Sequence, residues 1–142
     1  MSTENPSVNR YFVDKHIDHI DHALGRPVWP LRETYRNHFA IDANSAKAAE
    51  FDASPHWTKN GQSGDMAFYS VTQLGRQTLA DHIASQPDPW QPFLVTFEGH
   101  TSIVPERTRG KAKYAYYLIV SDSWSELTFS AFCKRSTVRR AA

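Results

Sequence analysis

Three histidines with helical spacing are the residues of this 142-residue chain best suited to chemistry. His16, His19 and His22 follow one another at intervals of three, and residues three apart are neighbours on a helix surface. Neutral imidazoles suit zinc, copper or nickel, so His16 and His19 are candidate metal ligands. A site that uses all three rings is strained, because six residues turn a helix through about 240° and leave His16 and His22 about 120° apart. The pattern therefore favours a solvated polar face without a metal.

Eight basic side chains between residues 107 and 140 form the best candidate for a macromolecule-binding patch. They are Arg107, Arg109, Lys111, Lys113, Lys134, Arg135, Arg139 and Arg140. The first four surround the start of a predicted helix, whose N-terminus already favours anions. Nucleic-acid phosphates or an acidic protein surface would both suit the patch. A solvated surface beside aromatic core residues is the alternative.

The composition bounds the class of protein. Hydrophobic residues make up 40% of the chain and aromatic residues 13%, which is enough for a core and excludes wholesale disorder. The net charge of +1 excludes a highly cationic, histone-like binder. That average conceals a division, because residues 1–90 hold eight basic and eleven acidic side chains (−3) and residues 91–142 hold eight and four (+4).

The residue types and their spacing give little indication of any other kind of reactive site. Cys133 is the only cysteine, which excludes an intrachain disulfide and a cysteine-based zinc site. No carboxylate pair, histidine–nucleophile pair or glycine-rich cofactor loop stands out, so we expect a protein that is not an enzyme and needs no cofactor. The polar N-terminus and the lack of an apolar run near the roughly 20 residues of a membrane helix predict a cytoplasmic protein without membrane contact.

The first part of the chain reads as a winged-helix-like module over 8–86, preceded by a flexible segment 1–7. Hydrophobic periodicity predicts a first helix over Val8–Leu24, which Gly25 and Pro27 end. The segment Tyr35–Ile41 fits either a short strand or a helix end. The remaining elements are a short helix within Asp42–Ser54, a hairpin of His56–Lys59 and Met66–Thr72 around the wing loop Asn60–Asp65, and a helix that Thr72 caps and that runs to Ser85. Lys59 and Asn60 are the candidate wing residues for contact with DNA.

A linker over 87–91 leads to a predicted ββαα unit over 92–142. A hairpin joins Phe93–Phe97 to Thr101–Val104, and Thr108 caps a helix over Arg109–Ser121. A strand over Tyr114–Val120 is the alternative. Thr128 caps the last helix, which we expect to turn Phe129, Phe132 and Cys133 inward and to bury the thiol. The basic tail Thr137–Ala142 is predicted to be mobile.

Five short segments carry a family resemblance. They are His22–Gly25, Tyr35–Phe39, Phe68–Arg76, Thr108–Tyr114 and Leu127–Phe132. Together they resemble small, mostly uncharacterised proteins of bacteriophages and prophages, and Phe68–Arg76 is also similar to the second wing strand and following helix of bacterial winged-helix regulators. The resemblance implies an accessory protein of a mobile element.

The chain departs from winged-helix regulators at the helix that reads DNA. Those regulators have two full helices before the wing, the second of which enters the major groove. Here Ala43–Ser54 is the only candidate, and its Glu50 and Asp52 would be repelled by phosphates. The resemblance therefore does not imply base-specific reading.

Together these observations predict an α+β protein that consists of a winged-helix-like module followed by the ββαα unit. We expect this protein to act by binding a partner. We expect a phage-type accessory protein that binds a host protein or nucleoprotein complex in the bacterial cytoplasm, for example as an inhibitor of a defence system (anti-CRISPR-like). The alternative is a DNA-binding transcriptional regulator that uses the wing and the basic patch. A homodimer is compatible with either.

Overall fold

The computed structural model describes residues 5–141. The chain divides into two compact units with the boundary between Gln86 and Pro87, and each contains helices and an antiparallel sheet of three strands. The predicted α+β class is confirmed.

The first unit contains three helices and three strands. They are α1 (Lys15–Ala23), β1 (Phe39–Asp42), α2 (Ala46–Ala53), β2 (Trp57–Ser63), β3 (Met66–Val71) and α3 (Gln73–Ala84). The strand order is β1-β3-β2. Of the segment Tyr35–Ile41, the last three residues form strand, so the short-strand interpretation is correct for them, while residues 35–38 precede the strand. Apolar residues from α1, α2, α3 and the sheet form one core, in which Phe51 stacks on Trp57 with ring centroids 3.9 Å apart.

The second unit contains three strands and two helices. They are β4 (Gln91–Phe97), β5 (His100–Glu106), α4 (Arg109–Ser121), α5 (Phe129–Arg135) and β6 (Ser136–Arg140). The strand order is β5-β4-β6, and alternate residues of β4 pack into a second core that includes Ala112 and Phe132. The β4–β5 turn uses Glu98 and Gly99, both with positive φ, as a two-residue hairpin of this type requires.

The predicted start of the first helix is wrong. The helix begins at Lys15, because the Asp14 carboxylate accepts hydrogen bonds from the backbone N–H groups of His16 and Ile17 and caps it. Val13, which the periodicity placed on the apolar face, lies outside the helix and is 97% exposed. Local capping therefore outweighs the apolar periodicity of the residues before Asp14.

A buried ion network fixes the segment that precedes α1. The Asp21 carboxylate is fully buried and accepts hydrogen bonds from Arg10 Nε (3.0 Å) and Nη2 (2.6 Å) and from Arg26 Nη1 (3.1 Å). Arg26 also binds Asp18 at 2.8 Å. Burial raises the pKa of Asp21, and the two guanidinium groups oppose that rise.

Residues 5–7, the first that the structure describes, are held by hydrogen bonds to later parts of the first unit. The Asn5 side chain donates to the carbonyl oxygens of Trp29 and Glu33, and Ser7 forms a β-bridge with Pro27. The flexible segment predicted for 1–7 is thus wrong for 5–7, while residues 1–4 lie outside the described part of the chain.

Three further boundaries differ from the sequence predictions. Most of the predicted wing loop is strand, because β2 extends to Ser63 through a bulge at Asn60 and the turn narrows to Gly64 and Asp65. Gln91, predicted as linker, begins β4. The tail predicted to be mobile forms β6, which pairs with β4 from Ser136 to Arg140, so the unit is ββααβ. Ala142, the last tail residue, lies outside the described residues.

Candidate functional site

The predicted basic patch lies at both ends of the second sheet. Arg140 pairs with Phe93 near the end where β5 leads into α4, so it lies toward Arg107 and Arg109. Arg135 lies at the opposite end, where it forms an ion pair with Glu98 and places its guanidinium 5.2 Å from the Trp124 ring centroid. The four residue steps from Phe93 to Phe97 along β4 separate these ends by roughly 13 Å.

Two more of the predicted cations have partners within the unit. Lys113 Nζ donates to the carbonyl oxygen of Cys133 at 3.1 Å and so ties α4 to the last turn of α5. The Arg107 guanidinium lies 5.5 Å from the Trp90 ring centroid. The others, Arg109, Lys111, Lys134 and Arg139, are exposed.

A groove of about 650 Å³ lies along α4 and α5. Tyr114, Leu118, Phe129 and Cys133 supply most of its apolar lining, and Lys111 lines it near the start of α4. Tyr114 is 49% exposed, Leu118 51% and Phe129 37%. The groove therefore presents several large apolar side chains to solvent beside a cation.

The aromatic lining is held by contacts within the second unit. The Tyr114 and Phe129 rings are perpendicular, with centroids 5.2 Å apart, and Tyr117 lies 5.3 Å from Phe129 and donates its hydroxyl hydrogen to the Leu127 carbonyl at 2.9 Å. These contacts restrict the orientations of the rings that line the groove.

The helix α5 presents its residues differently from the sequence prediction. Phe132 is fully buried as expected, but Phe129 is exposed and Cys133 is only partly buried. Both line the groove. The expected inward positions of Phe129 and of the thiol are therefore wrong, because Phe132, with Ala131 beside it, packs on the core beneath this short helix.

The wing residues are exposed on the β2–β3 hairpin. Beyond Trp57, every residue of β2 is exposed. Lys59 Nζ donates to the Gln62 side chain at 2.9 Å, and Asn60 accepts a hydrogen bond from the Ser70 hydroxyl at 3.3 Å. Both side chains thus have neighbours within the hairpin.

The three histidines of α1 do not converge. His19 lies against Phe39 and Phe51, and the His22 carbonyl accepts a hydrogen bond from Arg36. Within residues 5–141, no three histidine, cysteine or carboxylate side chains are grouped as metal ligands. Burial lowers the pKa of His19, with a further contribution from Lys47. Burial and then Arg36 lower the pKa of His22.

His16 pairs with a residue that the sequence analysis missed. Its Nε2 lies 2.8 Å from Nδ1 of His56, which directly precedes β2. Burial, followed by the charge on His16, lowers the pKa of His56. The two positions are 40 residues apart, and no spacing rule connects them.

Residues from two of the resemblance segments line a smaller cleft. It has a volume of about 280 Å³ and is lined by His22, Arg36, His38, Phe39 and Ala40. The ring of His38 stacks on Phe68, from a third segment, at 5.6 Å. These segments therefore meet in the folded first unit.

Comparison of the chain with models of protein families, with curated proteins and with solved structures finds no match. None of the helices in the part that the structure describes has the length and apolar character needed to cross a bilayer.

Proposed function

We propose that this protein is a non-enzymatic phage-type accessory protein that binds a host protein or nucleoprotein complex in the bacterial cytoplasm, for example to inhibit a defence system. The groove along α4 and α5 is the observation that carries the proposal. Exposed apolar side chains grouped in this way are typical of interaction sites, and Tyr and Phe are enriched at protein interfaces.

The charges beside the groove favour a particular kind of partner segment. Lys111 lines the groove, and Arg109 and Lys134 are exposed on the same two helices. Glu106 is the acidic residue in the lining, and its carboxylate accepts a hydrogen bond from the Arg107 backbone. A segment with apolar side chains on one face and carboxylates beside them would complement both features.

In this proposal the first unit is a winged-helix-like module. Its support is the strand order β1-β3-β2, in which the second hairpin strand lies at the centre, together with the exposed hairpin. Only the eight-residue α2 stands between β1 and the hairpin, and its Asp52 accepts the Tyr69 hydroxyl hydrogen at 2.8 Å. A helix this short and acidic does not favour base reading.

Affinity capture from a bacterial host lysate, with and without nuclease, tests the proposal. We expect the wild-type chain to recover one stoichiometric protein in both conditions. Leu118→Glu places a charge in the groove and should abolish the capture. Leu74→Glu is the matched control, since Leu74 and Leu118 are each 51% exposed on a helix.

Two results would contradict the proposal. The first is a lysate from which no stoichiometric protein is recovered by the wild-type chain. The second is equal capture by Leu118→Glu and Leu74→Glu, which would place the interaction away from the groove.

A DNA-binding transcriptional regulator is the second candidate, and the exposed hairpin with Lys59 favours it. It predicts retardation of duplex DNA at low salt that weakens steeply as salt rises. Replacing Arg109 and Lys111 with alanine should then reduce the salt slope by about two, at roughly 0.9 per phosphate contact. A gel shift without retardation at low salt would eliminate this candidate.

A further inference from the structure

The exposed face of α4 carries apolar side chains between a cation and an anion. Counted at ~100° per residue, Lys111, Leu118 and Asp122 lie within ~40° of one another on the helix surface. Tyr114 and Ile119 lie on either side of them. All five are exposed, Ile119 by 66%. Asp122 keeps helical backbone angles as the C-terminal cap of α4, so it continues this face beyond the last turn.

This face is complementary to itself when a second copy of the helix runs in the opposite direction. With a two-fold axis midway between residues 116 and 117, each residue of the face lies opposite another one. The facing pairs are Lys111 with Asp122, Tyr114 with Ile119, and Ala115 with Leu118. Two-fold symmetry forms each pair twice. Two helices paired in this way therefore gain two pairs of opposite charges and four apolar pairs.

The sizes of the facing side chains also fit this pairing. Ala115 is partly buried and has only a methyl group. Its neighbours three and four residues along the helix, Leu118 and Ile119, are longer and exposed. Ala115 therefore leaves a depression in the face. Leu118 of the second copy can enter this depression, as the side chain of one helix packs between those of another in paired helices.

Charge determines the relative direction of the two helices. Arg109 and Lys111 lie at the start of α4, while Asp122 and Glu126 follow its end, and all four are exposed. Parallel helices would bring like charges together, whereas antiparallel helices bring opposite charges together and also oppose their dipoles. Within the part of the chain that the structure describes, neither Lys111 nor Asp122 has an oppositely charged partner. Both charges are therefore available to a second copy.

We propose that α4 pairs with α4 of a second copy in antiparallel orientation, so that the chain forms a two-fold homodimer through this face. Lys111, Ala115 and Leu118 also line the groove, so the dimer covers the groove and a host partner binds the monomer. This competition rests on the proposed function, whereas the dimer itself does not. A contact built on one helix from each copy is small, which favours a dimer that exchanges readily with the monomer.

Sedimentation of the full chain over a dilution series, at low ionic strength, tests the dimer. We expect the wild type to be dimeric at about 100 µM and monomeric at about 1 µM, as for a small interface. Lys111→Asp or Asp122→Lys should each weaken association about tenfold or more, because symmetry places the like charges at two positions. An equimolar mixture of these two variants should associate as the wild type does, since every facing pair then joins opposite charges.

Lys59→Asp is the matched control. It changes the net charge as Lys111→Asp does, but Lys59 lies in the first unit, where it is exposed on β2. It should associate as the wild type does. The proposal is overturned if the wild type stays monomeric at about 100 µM, or if the mixed variants associate no better than either one alone. Because the chain is measured by itself, neither result depends on whether a host protein is captured.

Discussion

The surroundings of single histidine side chains contribute to how the first unit responds to acid, and His19 on α1 shows how. His19 packs against Phe39 and Phe51, and burial with the nearby Lys47 lowers its pKa from the ordinary value of 6.5. The folded state therefore holds His19 neutral at a pH where the unfolded chain has already taken up a proton. Above pH 6.5 this group does not disfavour folding, and its penalty grows as the pH falls below 6.5.

We expect the free energy of unfolding to fall as the pH drops from 7.5 to 5.5, and to fall less in His19→Gln. Glutamine keeps a polar side chain at this position but does not titrate. Urea unfolding at the two pH values measures both quantities. Because lowered pKa values at His22 and His56 act in the same direction, part of the dependence should persist in the variant. An unchanged pH dependence would contradict the role given to His19.

Sequence spacing could identify a helix with three histidines but not their partners. His16 and His56 meet through the packing of α1 near the start of β2, which are 40 residues apart along the chain. In the same way, Tyr114 and Leu118 have helical spacing in the sequence, but their exposure depends on how α5 packs. The sequence predicted the lysines beside the groove, whereas its apolar lining could be recognised only from the tertiary structure.

The starts of α3, α4 and α5 were readily predicted, unlike that of α1, because the threonine cap of each is a local signal. Thr72, Thr108 and Thr128 each accept a hydrogen bond from a backbone N–H three residues later, at the positions expected. The strand β6 was missed because its exposed residues are basic and polar, and Val138 is its only large apolar residue. The hydrogen-bonded pairing with β4 stabilises the strand, although its own residues give little indication of one.

The start of α3 packs closely against the residue before β2. A Cβ atom on Gly75 would lie 2.7 Å from the His56 carbonyl oxygen and 2.5 Å from Val71 Cγ1. Alanine normally stabilises a helix interior by about 1 kcal/mol relative to glycine. Here the overlap involves backbone, so we expect Gly75→Ala to destabilise the protein by about 1–2 kcal/mol.

Gly110→Ala is the control for this substitution. Gly110 lies near the start of α4, and a Cβ atom there would have no neighbour within 4 Å. It should leave stability unchanged or raise it by up to about 1 kcal/mol. Denaturant unfolding compares the two variants, and a stabilising Gly75→Ala would show that α3 does not approach His56 so closely.

Two adjacent residues of β6 test whether it is a packed strand. Val138 lies opposite Val95 and packs on the second core, whereas Thr137 lies opposite Thr96 and is exposed. We expect Val138→Asp to cost about 1–3 kcal/mol, because it brings a carboxylate against apolar neighbours. Thr137→Asp should change stability by less than about 0.5 kcal/mol. Equal, small effects in urea unfolding would indicate a mobile tail instead.

At the scale of the whole molecule, the division in charge follows the division in structure. The −3 of residues 1–90 and the +4 of residues 91–142 divide close to the boundary at Gln86 and Pro87. Each unit has its own core and its own sheet. The acidic unit contains the exposed hairpin, and the basic unit contains the groove on which the proposed function rests.

Because the two units have separate cores, we expect a destabilising substitution in one unit to leave the other folded. Asp21→Ala removes the buried carboxylate that pairs with Arg10 and Arg26 and leaves the buried Arg10 guanidinium without its ionic partner. Breaking a buried pair in this way costs about 3–5 kcal/mol, a large part of the roughly 5–15 kcal/mol that stabilises a small domain. Hydrogen exchange measured by mass spectrometry should show faster exchange in α1, β3 and α3.

The second unit provides the internal control in the same experiment. Peptides from β4, α4 and β6 should exchange in Asp21→Ala as they do in the wild type, because their core contains no residue of the first unit. Val138→Asp should produce the reverse pattern. If either variant accelerates exchange equally in both units, the chain unfolds as a single cooperative body, and the groove would then depend on the stability of the first unit.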